Sequence, residues 1–247
     1  EFTAENRQDY EWGYMPVGWF APASSYASDP SEATQNSELA ELVDAFHRAG
    51  IAVIFDVVYN HYGVPNYLSL IDEGYYFETS SDGGLMNFSG CGNDFRAKSP
   101  MALRLIKDSL RAMLEKYGAD GFRFDLAELL GFGALREIES FVKKIKPSSI
   151  LIAEPWSFRG HIGEPLRSTG YASWNDGFRE FMLSYALGRG NFEGFKYFIS
   201  GSRGGYASFP AQTVNYLESH DDKCLLDRIS PSPETPSEED LRRYKLA

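Results

Sequence analysis

Apolar residues recur at two different spacings along the chain, and these spacings predict alternating helices and strands. Helical spacing predicts helices over residues 37–49, 100–117, 134–145, 176–187 and 192–199, with a further helix over 241–247. Short apolar runs predict strands over residues 51–58, 120–126, 149–153 and 214–217. Nearly unbroken apolar runs are typical of parallel strands that are covered on both faces. The alternation of such strands with helices therefore predicts an α/β fold with a parallel sheet.

Segments rich in Gly, Pro, Ser, Asn and Asp interrupt this alternation and predict loops. The longest loop covers about residues 62–99, and others cover residues 7–30 and 158–175. A loop as long as 62–99 inside a compact domain is usually functional. We therefore expect one domain over residues 1–247 with an irregular insertion at about 62–99.

Charge and composition narrow the class of partner. The formal net charge of -11 makes a nucleic-acid backbone or an anionic membrane an unsuitable partner, and a neutral substrate fits better. Aromatic residues make up 15% of the chain; exposed aromatic faces can hold sugar rings, although core packing is their default use. Cys91 and Cys224 are too few for a disulfide framework and are expected to be free, buried thiols. We find no apolar run of membrane-spanning length and no signal peptide, so the cellular compartment stays open.

The stretch Gly121–Ala127 places two opposite charges on one face of a predicted strand. Alternate side chains of a strand share a face, so Arg123 and Asp125 point one way and Phe122 and Phe124 the other. An arginine beside an aspartate lowers the pKa of the carboxyl group, as a carboxylate nucleophile requires at neutral pH. A purely structural ion pair explains the same residues equally well.

Polar residues stand at the carboxyl ends of all the predicted strands. They are Asp56, Asn60, His61, Arg123, Asp125, Glu154, Trp156, His220 and Asp221. No glycine-rich phosphate loop is present, which disfavours a nucleotide-binding fold and favours a barrel of strands and helices. In such a barrel these strand ends meet on one face, where carboxylates and imidazoles suit acid-base and nucleophilic chemistry on an acetal. Zinc-ligand spacing and a G-x-S-x-G motif are both missing from the sequence.

Four short strings, in this order, resemble the conserved regions of the α-amylase superfamily of glycoside hydrolases. They are DVVYNH, GFRFD, the Glu of AEPW and the terminal HD. The strings YEWGYMP, SGCGN and WND are similar to those of pullulanase-type and isoamylase-type debranching enzymes, and the resemblance covers roughly residues 9–228. It implies a (β/α)8 TIM barrel. Counterparts of the first and eighth strands are not evident, so we expect an incomplete barrel with flanking domains in a longer protein.

The resemblance also implies a role for each site residue. Asp125 is expected to be the nucleophile, Glu154 the general acid and then base, and Asp221 the stabiliser of the transition state. Tyr14, His61, Arg123, His220 and Trp156 are expected to contact substrate, with Arg123 also keeping Asp125 ionised. Asp56 and Asn60 are expected to support the site. Core packing for Tyr14 and Trp156, and a purely structural role for Asp56 and Asn60, remain open.

The implied substrate is an α-glucan, cleaved at α-1,6 branch points with retention of configuration. Retention requires carboxyl groups about 5–5.5 Å apart, an ionised Asp125 and a Glu154 whose pKa is raised. Cleavage of α-1,4 linkages, branching-type transfer to another sugar, and glucan binding without catalysis are the alternatives. No metal or other cofactor is expected. The sequence departs from the family pattern at Asp222, where Asn is more typical, and in the segment NDFRAKSP, so the details of the substrate subsites and the presence of a calcium site stay open.

Overall fold

Short parallel strands form the sheet in the first part of the chain. They are β1 (Ile54–Val57), β2 (Gly121–Phe124) and β3 (Ile150–Ala153). β2 pairs with both others, in a register that sets Asp56 opposite Arg123 and Arg123 opposite Ile152. The computed structural model describes residues 12–232 and 234–246, and the chain divides into two compact units, Glu1–Ile162 and Gly163–Ala247.

Helices flank this sheet in the first unit. They are α1 (Gln35–Arg48), α2 (Ser69–Tyr76), α3 (Pro100–Tyr117), α4 (Ala127–Leu130) and α5 (Phe132–Ile145). α3 begins at a proline, which suits the first helical turn, and ends at Gly118, whose φ of 75° closes the helix. The helical spacing of α3 puts Leu103, Ile106, Leu110 and Leu114 on one stripe. All four are buried, and so are Phe122 and Phe124 on β2. The apolar face of β2 therefore belongs to the core, as predicted.

The second unit contains a shorter parallel pair and a group of helices. The elements are α6 (Gly163–Leu166), β4 (Ala172–Trp174), α7 (Asp176–Ala186), α8 (Phe192–Ile199), β5 (Thr213–Val214), α9 (Leu225–Ile229) and α10 (Glu238–Leu246). Ser173 pairs with Thr213 and Trp174 with Val214. The side chain of Asn175 caps α7 by accepting a hydrogen bond from the backbone N–H of Phe178 at 3.1 Å.

The observed boundaries differ from the predicted ones where a helix cap competes with a strand. Ile51 is not part of β1, because its N–H donates to the Phe46 carbonyl at 2.9 Å in the turn that closes α1 through Gly50. The predicted loops 62–99 and 158–175 contain α2 and β4, respectively. Residues 7–11 of the predicted loop 7–30, and Ala247 of the predicted last helix, lie outside the described residues.

Several side chains are less buried than their spacing suggests. Leu39, Leu42, Val43 and Phe46 form the apolar stripe that helical spacing predicts for α1, yet Leu42 and Phe46 are exposed. Cys224 is exposed and Cys91 half-buried, so the prediction of buried thiols is wrong for Cys224. In α7, Met182 is buried but Phe178 and Phe181 are only half-buried. Periodicity gives the apolar face of a helix, whereas burial depends on what covers that face. In the part of the chain that the structure describes, none of the helices combines the length and apolar character needed to cross a bilayer.

Asp120 ties α1, β1 and α5 to the start of β2. Its carboxylate accepts hydrogen bonds from Lys146 Nζ at 2.7 Å and the Val53 backbone N–H at 2.8 Å, and it lies 2.8 Å from His47 Nε2. Burial by itself raises the pKa of Asp120, but these partners outweigh it and lower the pKa to about 2. The ionised carboxylate is therefore part of the folded structure.

Asp120→Asn should destabilise the protein near neutral pH by about 1–2 kcal/mol, allowing for partial exposure of the carboxylate. Because the folded-state pKa is depressed, this stability is present above the unfolded value of 3.8 and is lost as the pH falls toward about 2. Urea unfolding at about pH 6 and about pH 3 measures the effect. Equal differences between variant and parent at both pH values would contradict the assignment.

Gly121 is required where β2 passes β3. An added Cβ would lie 2.1 Å from the Ile150 carbonyl oxygen, so Gly121→Ala must push the two strands apart. We expect a loss of roughly 3 kcal/mol or more in the free energy of unfolding. Gly133→Ala in α5 is the matched control, because a Cβ there meets nothing within 4 Å and should be neutral or slightly stabilising. Urea denaturation of both variants tests the contrast, and a tolerated Gly121→Ala would refute it.

Candidate active site

The carboxyl ends of β1, β2 and β3 bring acidic residues to one edge of the sheet. Asp125 directly follows β2 and Glu154 directly follows β3. The strand ladder extends to both residues, because the Asp125 N–H donates to the Val57 carbonyl at 3.1 Å and the Glu154 N–H to the Phe124 carbonyl at 3.0 Å. These backbone hydrogen bonds therefore fix the positions of the Asp125 and Glu154 main chain, from which the two carboxylate side chains extend.

The Arg123 guanidinium joins three carboxylates. Its Nη1 donates to Asp125 Oδ1 at 2.7 Å and to Asp56 Oδ1 at 2.9 Å, and its Nη2 lies 3.0 Å from Glu154 Oε1. The side chains of Arg123 and Glu154 are only 8% and 3% exposed. Burial lowers the pKa of Arg123, but the charges of Glu154, Asp125 and Asp56 outweigh it and raise the pKa above its usual range. One permanent cation thus holds the acidic groups together.

Asn60 fixes the second oxygen of Asp125. The Asn60 side chain is fully buried, and its Nδ2 donates to Asp125 Oδ2 at 2.8 Å and to the Asp125 carbonyl at 2.9 Å. With Arg123 on Oδ1, each carboxylate oxygen of Asp125 accepts a hydrogen bond. The guanidinium of Arg123 and the amide of Asn60 thus orient this carboxylate, as a preorganised site requires.

Glu154 is held by the backbone after Asp125 as well as by Arg123. Its Oε2 accepts a hydrogen bond from the Leu126 N–H at 2.7 Å, and its carbonyl accepts one from the Ala127 N–H at 2.9 Å. Leu126 has φ 39° and ψ 49°, a left-handed conformation that is strained for a residue with a side chain. The strain lies at the turn that directs the Leu126 N–H toward Glu154.

His61 and Tyr14 complete the first-unit site. His61 is 1% exposed, with Nδ1 at 2.6 Å from Asn60 Oδ1 and Nε2 at 2.7 Å from the Tyr14 carbonyl. Burial lowers the pKa of His61. A neutral ring has one N–H and can donate to only one of these two acceptor oxygens, whereas the protonated ring donates to both. The Tyr14 hydroxyl donates to Asp56 Oδ2 at 2.6 Å, and its ring centroid lies 5.8 Å from the Arg123 guanidinium carbon. Burial, with this hydrogen bond, raises the pKa of Tyr14 above its usual range.

Sequence analysis did not identify the residues that hold the segment around His61. Asn93 clamps Tyr62 from both sides, since its Oδ1 accepts from the Tyr62 N–H at 2.9 Å and its Nδ2 donates to the Tyr62 carbonyl at 2.8 Å. The segment that carries Tyr14 passes close to the backbone of Gly63, and an added Cβ at Gly63 would lie 2.5 Å from the Met15 carbonyl oxygen. In the sequence, the string SGCGN, which ends at Asn93, is the feature that could have indicated these two hydrogen bonds.

The remaining predicted site residues are Trp156, His220 and Asp221. Trp156 is half-buried two residues after Glu154, and its ring lies 6.3 Å from that of the exposed His161. His220 and Asp221 belong to the second unit, where both are exposed and His220 Nε2 lies 3.3 Å from Asp221 Oδ1. Within residues 12–232 and 234–246, we find no group of three or more His, Cys, Asp or Glu residues that could hold a metal ion.

Known proteins resemble this chain over almost all of its length. It is 33% identical over 260 residues to the pullulanase of Bacillus subtilis strain 168, covering 95% of the chain. It is 34% identical over 243 residues to isoamylase 3 of Oryza sativa subsp. japonica, covering 89% of the chain. The crystal structure of the type I pullulanase of Bacillus subtilis, complexed with maltose, matches with a TM-score of 0.84, 31% identity and 96% of the chain covered.

The chain resembles the debranching enzymes of the α-amylase superfamily. A pullulanase from Paenibacillus barengoltzii complexed with maltotetraose also matches, with a TM-score of 0.85, 29% identity and 96% of the chain covered. No model of a known protein family matches the sequence. The resemblance to debranching enzymes of the α-amylase superfamily is confirmed, and so is the α/β fold that forms part of a TIM barrel.

The chain spans about a third of the length of the curated relatives it matches. It covers 36% of the Bacillus subtilis pullulanase and 31% of isoamylase 3. Of the Paenibacillus barengoltzii structure it covers 41%. The aligned part contains the strand ends that carry Asp125 and Glu154.

Arg123→Met should destabilise the first unit by about 3–5 kcal/mol, because it leaves buried carboxylates without their cation. Arg104→Met is the matched control, since Arg104 forms an exposed pair with Asp108 along α3 that contributes only about 0.5 kcal/mol. Urea denaturation of both variants measures the difference. Equal, small losses for the two variants would show that the Arg123 contacts do not organise the site.

Proposed function

We propose that this chain carries the catalytic carboxylates of an α-glucan hydrolase that cleaves α-1,6 branch linkages with retention of configuration. The observation that carries the proposal is the shared contact of Asp125 and Glu154 with the Arg123 guanidinium. Retaining glycosidases need two neighbouring carboxyl groups, one as nucleophile and one as acid and base. A single guanidinium that contacts both keeps them within a few ångströms of each other.

In the first step, an Asp125 oxygen attacks the anomeric carbon while Glu154 gives a proton to the leaving glycosidic oxygen. The C–O bond of the branch breaks, and a covalent glycosyl–Asp125 ester forms. In the free protein, Glu154 Oε2 accepts a hydrogen bond from the Leu126 N–H, and Oε1 forms an ion pair with Arg123 Nη2 at 3.0 Å. Donation therefore requires one Glu154 oxygen to acquire a proton and to exchange its N–H partner for the glycosidic oxygen.

In the second step, Glu154 removes a proton from water, and the water oxygen replaces Asp125 at the anomeric carbon. Two inversions at this carbon give net retention. Arg123 and Asn60 each donate to one oxygen of Asp125 and so orient the group that attacks in step one and leaves in step two. These steps use carboxylates alone and call for no metal ion.

The other predicted residues are proposed to hold the sugar. His61 and Tyr14 lie beside the Asp125 cluster through Asn60 and Asp56, respectively, and Trp156 lies on the chain that follows Glu154. The resemblance assigns to Asp221 the stabilisation of the transition state through sugar hydroxyls, and to His220 a hydrogen bond to the sugar. Both of these assignments are part of the proposal.

The preference for α-1,6 linkages is supported by the names of the relatives. They are a pullulanase, an isoamylase and glycogen debranching enzymes, at 33–36% identity. Product analysis on pullulan, amylopectin and amylose tests this preference. We expect linear chains from amylopectin and no shortening of amylose. Shortened amylose would instead support α-1,4 cleavage, and new branches would support transfer to a sugar.

Asp125→Asn should lower turnover of amylopectin by about three orders of magnitude or more, because the amide cannot form the glycosyl ester. Glucan binding should persist, since the side chain keeps its size. Asp108→Asn, an exposed change on α3, is the control and should leave turnover unchanged. Reducing-end release and equilibrium binding are measured on the same preparations. Undiminished turnover by Asp125→Asn would remove Asp125 from the role of nucleophile.

A further inference from the structure

Glu128 is a largely buried carboxylate that the proposed reaction does not use. It lies in α4, three residues after Asp125, and its side chain is 12% exposed. One of its carboxylate oxygens accepts a hydrogen bond from the Ser157 hydroxyl, and the other accepts one from Arg159 Nε at 3.1 Å. The Glu128 carbonyl accepts a further hydrogen bond from Arg159 Nη2 at 3.0 Å. Glu128 therefore connects the turn after Asp125 to the loop after Glu154.

The loop on the far side of these contacts is closed on itself. The Ser157 N–H donates to the Gly160 carbonyl at 2.9 Å, and the Ile162 N–H donates to the Pro155 carbonyl at 2.8 Å. A short loop with such internal hydrogen bonds has little freedom to rearrange when it is pulled at one point. The contacts of Glu128 thus hold a compact loop rather than one loose side chain.

The turn that carries Glu128 does not support itself. α4 is a helix of only 4 residues, too short to be stable without tertiary contacts. Leu126, which precedes α4, has a left-handed φ of 39° that is strained for a residue with a side chain. Its N–H donates to Glu154 Oε2 at 2.7 Å, and the Ala127 N–H donates to the Glu154 carbonyl at 2.9 Å. The Glu128 contacts add a third attachment between the same two chain segments.

We propose that Glu128 is a positioning residue for Glu154. By tying α4 to Ser157 and Arg159, it keeps the strained turn in place, and the Leu126 N–H then stays on one oxygen of the Glu154 carboxylate. Glu128 itself touches neither the sugar nor the reacting atoms. The inference rests on the proposed function, because Glu154 needs a fixed direction if it gives a proton to the glycosidic oxygen.

A misdirected Glu154 should slow the steps that move a proton and spare those that do not. Cleavage of amylopectin needs an acid, because a sugar is a poor leaving group, and release of the ester to water needs a base. With α-maltotriosyl fluoride, an Asp125 oxygen displaces fluoride, which leaves with little help from an acid. Azide then displaces Asp125 without losing a proton and gives maltotriosyl azide. The pair of substrates therefore separates proton transfer from the rest of the reaction.

In the 247-residue chain, Glu128→Ala should lower the turnover of amylopectin roughly tenfold, and that of the fluoride with azide by less than about twofold. KM should change little for either substrate, because no sugar contact is removed. Arg159→Met breaks the same link from its more exposed end and should act in the same direction. The double variant should lose no more than Glu128→Ala alone, because both changes remove one interaction.

Glu137→Ala is the matched control. It removes an exposed carboxylate of α5 that pairs with Lys107, and it should leave both rates unchanged. Urea unfolding of each preparation confirms that the rates refer to folded protein. Amide hydrogen exchange needs no substrate and should be faster at the N–H groups of Leu126 and Ala127 in Glu128→Ala than in the parent or the control.

The possible results separate this inference from the proposed function. Undiminished turnover of amylopectin by Glu128→Ala overturns the inference while the proposed hydrolysis stands. Equal losses on amylopectin and on the fluoride with azide also overturn it, because they show a general disruption of the site. Unchanged exchange at Leu126 and Ala127 overturns the link between Glu128 and the turn. A parent chain that turns over neither substrate overturns the proposed hydrolysis and the role of Glu128 together.

Discussion

One guanidinium in contact with three carboxylates is the interaction on which the site depends. Asp56, Asp125 and Glu154 come from three neighbouring strands or strand ends, and their mutual repulsion would separate them without a shared cation. Arginine suits this position because its planar fork offers several N–H groups in fixed directions and stays charged when buried. Arg123 can reach all three groups because it lies on β2, between β1 and β3. The parallel sheet therefore sets the electrostatics of the site.

The surrounding chain restricts the freedom that this cluster would otherwise have. Asn60 holds Asp125, and the strained turn at Leu126 supplies an N–H to Glu154. Asn93 and Gly63 hold the segments that carry His61 and Tyr14. Strain and buried amides of this kind cost stability, and they persist because the core of β2 and α3 supports them.

The sequence was informative where a local rule decides the structure. Alternation along β2 placed Arg123 and Asp125 on one face, and helical spacing predicted α3 and its buried stripe. It was less informative where two local rules compete or where packing partners decide. Ile51 continues an apolar run but bonds back to α1, and Leu126 adopts a conformation that its side chain disfavours. The exposure of Leu42 and Phe46 likewise depends on packing partners, which periodicity does not specify.

The central claim is that Asp125 forms the covalent bond to the sugar while Glu154 handles the proton. A fluorinated α-glucosyl donor, which forms the glycosyl-enzyme faster than water releases it, tests this claim most directly. Mass spectrometry of the digested protein should find the added sugar on the peptide that contains Asp125, and on no other peptide. A sugar attached to a different carboxylate, or a product released with inverted configuration and no covalent adduct, would contradict the account.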